Sequence, residues 1–169
     1  MSDNQKAAVQ TDMVVVGAGF AGLYMVHKAL EQGLSVQCFE AGDGVGGTWY
    51  WNRYPGARVD IECVEYSYSF SQELEQEWEW TERYAAQPEI ERYANHVADR
   101  FNLREKIQFE TKVLSAIFDE ASGRWTVTTD RGDVISAQYC IMATGLISAP
   151  VDPTLEGLDS FTGGQDRTS

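Results

Sequence analysis

The chain has 169 residues, 43% of them hydrophobic, and a formal net charge of -13. This length is enough for one domain with its own core, and the apolar content excludes an intrinsically disordered protein. The negative charge argues against nucleic acid and anionic membranes as partners, and because no apolar run is long enough for a membrane helix and no secretion signal is present, we expect a cytoplasmic protein.

The first predicted elements form a βαβ unit over residues 12–40. Met13 to Val16 is a continuous apolar run, which is typical of a buried strand. Phe20 to Leu30 then shows helical spacing, and Leu34 to Phe39 alternates apolar and polar residues before Glu40. A strand, a helix and a second strand are therefore predicted at the start of the chain.

The turn between the first strand and the helix has the sequence GAGFAG, and Glu40 ends the next strand. In this fingerprint Gly17 permits a sharp turn, Gly19 lets the backbone approach a pyrophosphate, and Gly22 lets helix and strand pack closely. The helix N-terminus attracts the phosphates, while the acid accepts hydrogen bonds from a ribose. The residues expected to contact a dinucleotide are Gly17, Gly19, Phe20, Ala21, Gly22 and Glu40. The spacing alone does not distinguish FAD from NAD.

The middle of the chain predicts a long loop and one helix. Gly42 to Cys63 has no clear period and is rich in glycine and aromatic residues, which indicates a loop. Loops of this length inside a domain are usually functional. Pro88 then opens a helix predicted over residues 88–102, because apolar residues from Ile90 to Phe101 recur at helical spacing.

The last third of the chain predicts β-structure. Tyr139 to Ala143 indicates a final buried strand that leads into Gly145. Four shorter β-like runs precede it and predict a small meander; they are Ile107 to Phe109, Val113 to Phe118, Trp125 to Thr129 and Val134 to Ile135.

The cysteines and histidines are interpreted as structural residues. Cys38, Cys63 and Cys140 are odd in number and far apart, so they predict neither a disulfide framework nor a metal cluster. His27 and His96 are isolated within helical patterns. No metal site is expected.

The aromatic part of the long loop, Gly46 to Asp60, resembles the loop that wraps the flavin in type I Baeyer-Villiger monooxygenases. Tyr66 to Phe70, Trp78 to Tyr84 and Gln87 to Ile90 also look like this family of phenylacetone, steroid and cyclohexanone monooxygenases, with the aryl and steroid ketone branch closest. The residue types fit, because glycines permit close backbone approach and aromatic rings shield a planar ring system. By composition alone, the same loop could equally well pack the core.

The resemblance implies an α/β fold: a Rossmann-like FAD-binding domain with a parallel sheet, helices and a small β-meander layer. It also implies the family reaction, in which NADPH reduces FAD, the reduced flavin reacts with O2, and a ketone becomes an ester or lactone. The cofactor carries the difficult chemistry, and the protein supplies binding and exclusion of water. The ketone is expected to bind only with domains that this chain lacks.

The resemblance also assigns individual residues. Asp60 is expected to contact the flavin and to have a supporting catalytic role, since the matching acid of the family pairs with an arginine that this chain lacks. Arg58, Val59 and Asp60 are expected to contact NADP in a full-length protein. The other residues expected to contact FAD are Gly47, Thr48, Trp49, Tyr66, Val113, Ala143 and Gly145.

The resemblance covers nearly the whole chain but only about the first third of such an enzyme. We predict an FAD-binding domain over residues 1–161, with residues 162–169 as a tail or as the truncated start of a linker to an NADPH domain. Phe161 and Gly163 begin the family signature F-x-G-x-x-x-H-x-x-x-W-P, but Arg167 stands at its His position, and a second glycine fingerprint is missing. Three hypotheses stay open: part of a ketone monooxygenase, a stand-alone FAD-binding module without catalysis, and an NAD-binding dehydrogenase domain.

Overall fold

The structure is a computed structural model that describes residues 8–147 and 154–164. Arg167 and the rest of residues 165–169 in the predicted tail lie outside the described residues. The strands are β1 (Val9–Val16), β2 (Val36–Phe39), β3 (Ile107–Gln108), β4 (Val113–Asp119), β5 (Arg124–Thr129) and β6 (Val134–Met142). The α-helices are α1 (Phe20–Glu31), α2 (Thr48–Trp51), α3 (Cys63–Tyr66), α4 (Gln72–Glu77) and α5 (Gln87–Arg100), with short 3₁₀-helices at Leu103–Lys106 and Leu158–Ser160.

Six strands form one sheet in the order β3-β2-β1-β6-β5-β4. β1 pairs in parallel with both β2 and β6, and β2 pairs in parallel with β3. β4, β5 and the first part of β6 form an antiparallel meander. The run from Ile107 to Phe109, predicted as part of the meander, instead supplies β3, which pairs in parallel with β2 at the opposite edge of the sheet. The predicted Rossmann-like α/β fold, with a parallel sheet, helices and a β-meander, is confirmed.

Both faces of the parallel strands are covered, as a fully apolar strand such as β1 requires. On one face, Val15 of β1 packs in a core with Leu23 of α1 and Ala94 of α5. On the other face, Val14 packs with Val127 and further residues of the meander. β1 is therefore held between two apolar layers.

The last strand is longer than the sequence pattern predicts. The pattern indicates two strands, whereas β6 is continuous. Ile135 to Ala137 pair with β5 on one side and with β1 on the other, so this part of β6 is hydrogen-bonded along both edges. Beyond Ala137, β6 pairs only with β1 among the described residues, and its second edge carries no ladder.

Three short helices between β2 and α5 are not predicted by the sequence pattern. α2 lies inside the predicted loop, and α3 and α4 follow it. α4 begins after Ser71, whose hydroxyl accepts a hydrogen bond from the Leu74 N–H (3.2 Å). Leu74 is buried against Tyr93 and Val97 of α5. Such short helices are stabilised by packing rather than by their own propensity.

The cysteines and His27 have surroundings typical of structural residues. All three cysteines are free thiols. His27 stacks on Phe70 and meets the edge of Phe101, at centroid distances of 4.3 and 4.7 Å, and burial lowers the pKa of its imidazole. Across residues 8–147 and 154–164, no group of three or more potential metal ligands is present. The helices of the same ranges include none that is long and apolar enough to cross a membrane.

Candidate dinucleotide site

A cleft of about 830 Å³ opens at the carboxyl ends of three parallel strands. Val16, Phe39 and Met142, which end β1, β2 and β6, contribute to its lining. In open α/β sheets ligands bind at this edge, where neighbouring strands connect to opposite sides of the sheet. The cleft therefore lies where the fold places a cofactor, and its volume is in the range of small-molecule sites.

The cleft brings together all but two of the residues predicted to contact the cofactor. The exceptions are Gly22, which packs beneath the turn, and Asp60, which is exposed outside the lining. The predicted residues that line the cleft are Gly17, Gly19, Phe20, Ala21, Glu40, Gly47, Thr48, Trp49, Tyr66, Val113, Ala143 and Gly145.

The glycine turn has the tight geometry that the fingerprint predicts. Gly17 has a positive φ of +100°, and a Cβ there would lie 2.5 Å from the Ala143 carbonyl oxygen. A Cβ on Gly22 would lie 1.9 Å from the Gly17 carbonyl oxygen. These two glycines therefore let α1, β1 and the end of β6 approach more closely than any side chain permits.

The N-terminus of α1 presents backbone N–H groups to the cleft. Gly19 caps the helix without a side-chain hydrogen bond, and the first turn holds no acidic residue. The first N–H groups of a helix have no partner within the helix and need one from outside it. Free donors and the positive end of the helix dipole together form a site for an anion such as a pyrophosphate.

Glu40 connects the two loops that border the cleft. Its carboxylate is only 5% exposed and accepts hydrogen bonds from the N–H groups of Ala18 (2.6 Å) and Gly42 (2.9 Å). Each carboxylate oxygen keeps a further lone pair for a ligand hydroxyl. Burial and the negative charge of Glu40 raise the pKa of the neighbouring Cys38 thiol, which therefore stays protonated.

The aromatic loop packs directly on the glycine turn. The Gly46 N–H donates to the Ala18 carbonyl oxygen (3.1 Å). A Cβ on Gly47 would lie 2.8 Å from the Cα of Gly19, and the backbone of Gly47 has a φ of +55°. Only two glycines facing each other allow this contact, so the loop sequence and the turn sequence depend on each other.

Trp49 and Tyr66 form an aromatic wall beside the cleft. The Trp49 indole N–H donates to the Tyr66 hydroxyl (2.8 Å), and the two rings meet edge to face at 5.8 Å. Burial, together with the charge of Asp60, raises the pKa of Tyr66. Phe20 packs on Tyr66 at a centroid distance of 5.1 Å. The rings give the wall an apolar surface, and the raised pKa keeps the Tyr66 hydroxyl protonated. Such a surface suits a flat aromatic ligand.

Arg58, Val59 and Asp60 follow the wall but lie outside the cleft. Arg58 is exposed and pairs with Glu82 and with the Tyr84 carbonyl oxygen. Val59 is buried at 4% exposure, and only its backbone can reach another molecule. The expected contacts of these residues with NADP, and of Asp60 with the flavin, stay predictions.

Other lining residues were missed by sequence reasoning. Thr111 is 1% exposed, and its N–H donates to the Glu40 carbonyl oxygen (2.8 Å), which positions the loop leading into β4. Lys112, Trp51 and Leu146 also line the cleft. Thr111 and Lys112 could have been predicted to line the cleft because they directly precede Val113 in the sequence. Nothing in the local sequence pattern indicates that Leu146 lines the cleft.

Comparison with known proteins shows the family. The model of the pyridine nucleotide-disulphide oxidoreductases matches residues 14–164. The acetone monooxygenase (methyl acetate-forming) of Gordonia sp. (strain TY-5) is 50% identical over 152 residues, which are 90% of this chain and 28% of that protein. A Baeyer-Villiger monooxygenase of Pseudooceanicola batsensis is 49% identical over 153 residues, with the same coverage of 90% and 28%.

A solved structure of oxidized steroid monooxygenase bound to NADP matches the fold with a TM-score of 0.85 and 60% sequence identity. The match covers 92% of this chain and 30% of that one. The chain thus spans less than a third of the length of these relatives. These matches confirm the resemblance predicted from the aromatic loop. The chain belongs to the pyridine nucleotide-disulphide oxidoreductase family and is a relative of the Baeyer-Villiger monooxygenases.

Proposed function

We propose that the chain is the FAD-binding portion of a Baeyer-Villiger monooxygenase, which converts ketones into esters or lactones with NADPH and O2. The observation that carries this proposal is the convergence of the glycine turn, Glu40 and the aromatic loop on one cleft of about 830 Å³. The relatives named acetone monooxygenase and steroid monooxygenase support the ketone as substrate class, and the latter is bound to NADP.

Each part of the cleft fits one part of FAD. The uncapped N-terminus of α1 would hold the pyrophosphate, and Glu40 would accept hydrogen bonds from the adenosine ribose. Backbone groups at Val113 would contact the adenine, and Trp49 and Tyr66 would shield the flavin ring from water. Bound FAD would supply the electron transfer and oxygen chemistry, for which protein side chains have no equivalent.

In a full-length protein, Arg58, Val59 and Asp60 would contact NADPH from the loop that ends beside the aromatic wall. Asp60 would place a carboxyl group near the flavin, close enough to Tyr66 to help raise the pKa of its hydroxyl. The free cysteine thiols fit a reducing compartment, so we place the protein in the cytoplasm.

Replacing Glu40 with alanine tests the ribose contact. We expect FAD affinity to fall by about 1.5–3 kcal/mol, or roughly ten- to hundredfold, because charge-assisted hydrogen bonds are lost. The free energy of unfolding should fall as well, since the N–H groups of Ala18 and Gly42 lose their acceptor. FAD affinity is measured by absorbance titration, with the exposed Glu120→Ala as control. Unchanged FAD affinity in Glu40→Ala would show that the ribose lies elsewhere.

Replacing Gly19 with valine tests the pyrophosphate contact. A Cβ at this position would already lie 3.3 Å from the Cα of Gly47, so the branched methyl groups must enter the cleft beside α1 or push the loop away. We expect FAD to bind more than about a hundredfold more weakly, which corresponds to about 2.8 kcal/mol. Gly164→Val is the control, because nothing lies within 4 Å of a Cβ there. A folded Gly19→Val protein that purifies yellow would contradict this placement of the turn.

A further inference from the structure

Seven aromatic rings form a continuous row from the cleft to the protein surface. We call this row the aromatic chain; in order, its members are Trp49, Tyr66, Phe20, Tyr68, Tyr93, Trp80 and Trp78. Consecutive ring centroids lie 5.8, 5.1, 5.3, 6.0, 5.0 and 5.7 Å apart. The first three rings line the cleft, and the last two are half-buried at the surface. Each ring is therefore in contact with the next ring of the row.

Hydrogen bonds fix the rings of the aromatic chain in place. The indole N–H of Trp49 donates to the Tyr66 hydroxyl (2.8 Å), and the Tyr68 backbone N–H donates to the Tyr93 hydroxyl (2.9 Å). The indole N–H of Trp80 donates to the Ser67 hydroxyl (2.8 Å). Each of these rings also belongs to a local core cluster, so packing holds the aromatic chain together as well.

Tryptophan and tyrosine are the side chains that lose single electrons most readily. The rate of electron tunnelling falls steeply as the distance between donor and acceptor increases. An oxidised phenol must also lose its proton. The Tyr68 hydroxyl donates to the Phe20 carbonyl oxygen (2.5 Å), which is too weak a base to take that proton. Burial also raises the pKa of Tyr68. A positive charge on the aromatic chain therefore rests on its tryptophans, and the rings between them shorten the gaps.

We propose that the aromatic chain carries single electrons between FAD in the cleft and a soluble one-electron donor at Trp78, an inference that rests on the proposed function. Trp49 would give one electron to light-excited, oxidised FAD held in the cleft and would become a radical cation. One electron would then pass from Trp80 to Trp49 through the four rings between them, and one from Trp78 to Trp80. The radical cation would then lie at Trp78, where ascorbate or a thiol would refill it. The net change is a one-electron oxidation of the donor and a one-electron reduction of the FAD.

The outer end of the aromatic chain is suited to hold the radical. Trp78 lies 5.4 Å from the His96 ring, and neither the Trp78 indole N–H nor His96 Nε2 has a hydrogen-bond partner in the described structure. His96 Nε2 also lies 3.7 Å from the Glu77 carboxylate. An imidazole nitrogen is a base that accepts a proton from an oxidised indole, directly or through water. Loss of this proton would leave a neutral radical at Trp78, outside the cleft that holds FAD.

The test uses the FAD-loaded chain without oxygen, excited by a blue laser pulse. Flavin emission lifetime measures the first electron transfer, and transient absorbance measures the tryptophan radical. In the double variant Trp78→Phe/Trp80→Phe we expect unchanged early quenching of emission but loss of the long-lived radical. Trp125→Phe is the matched control, because this half-buried tryptophan packs on Phe118 in the meander, away from the row.

FAD titration of every variant comes first, and the single variant Trp78→Phe replaces the double variant if the latter does not bind FAD. A long-lived radical that persists without Trp78, or that disappears equally in Trp125→Phe, would overturn the inference while FAD binding stands. A chain that binds no FAD at all would instead refute the proposed function and the inference together.

Discussion

Replacing Gly22 with alanine is expected to lower the free energy of unfolding by about 3–5 kcal/mol, a large part of the stability of a domain. The new Cβ would lie 1.9 Å from the Gly17 carbonyl oxygen and 2.9 Å from its carbonyl carbon. Both are backbone atoms of the turn, so α1 must move away from β1 or the turn must deform. Helix propensity alone predicts the opposite sign, a gain of about 1 kcal/mol.

Urea denaturation followed by circular dichroism measures the effect. Gly164→Ala is the control, because a Cβ there meets no atom within 4 Å. We expect the midpoint of Gly164→Ala to stay within error of the parent chain and that of Gly22→Ala to fall well below it. A raised midpoint for Gly22→Ala would mean that α1 does not pack closely on the turn.

The FAD-loaded chain is expected to form no ester or lactone when it is given NADPH, O2 and phenylacetone or cyclohexanone. The 169 residues contain one glycine fingerprint, so we expect no separate site that holds a second dinucleotide against the flavin. Holding a hydride donor against the flavin contributes about 7–11 kcal/mol to such a reaction. Any flavin that becomes reduced should therefore react with O2 to give hydrogen peroxide.

NADPH loss at 340 nm, a peroxide assay and gas chromatography of the products measure this outcome, with free FAD at the same concentration as the control. Ester or lactone formed in step with NADPH consumption would show that the chain is catalytically sufficient. It would also remove the alternative of a stand-alone FAD-binding module. Absence of product together with tight FAD binding is the expected result.

The βαβ unit and most of the residues that line the cleft could be predicted from the sequence because they depend on local rules or on the resemblance. The apolar run of β1, the GAGFAG turn and Glu40 occur at spacings that backbone geometry requires. Val113 and Ala143 were placed through the resemblance, and both line the cleft. The close contact between Gly22 and the Gly17 carbonyl group is also predictable, because the third glycine of the fingerprint lets helix and strand pack closely.

The remaining features depend on tertiary contacts that no local pattern records. α2 and α3 are one turn each, and Trp49 and Cys63 on them are buried in a cluster with Ile90 of α5. The contact between Gly19 and Gly47 joins two segments that are far apart in sequence. The hydrogen bonds of Glu40 to Ala18 and Gly42 likewise use both carboxylate oxygens before any ligand arrives, which a ribose assignment alone does not predict.

The outer half of β6 presents an open row of peptide N–H and C=O groups, since no strand pairs with it beyond Ala137 within the described ranges. Tyr139 and Met142 on this half are 45% and 61% exposed, and Leu146 just beyond is fully exposed. Such an edge, flanked by apolar side chains, is a template on which another extended segment adds. A segment that covers the outer half of β6 would therefore prevent copies of the protein from pairing edge to edge and aggregating. A preparation in which this edge is uncovered should be kept at low protein concentration.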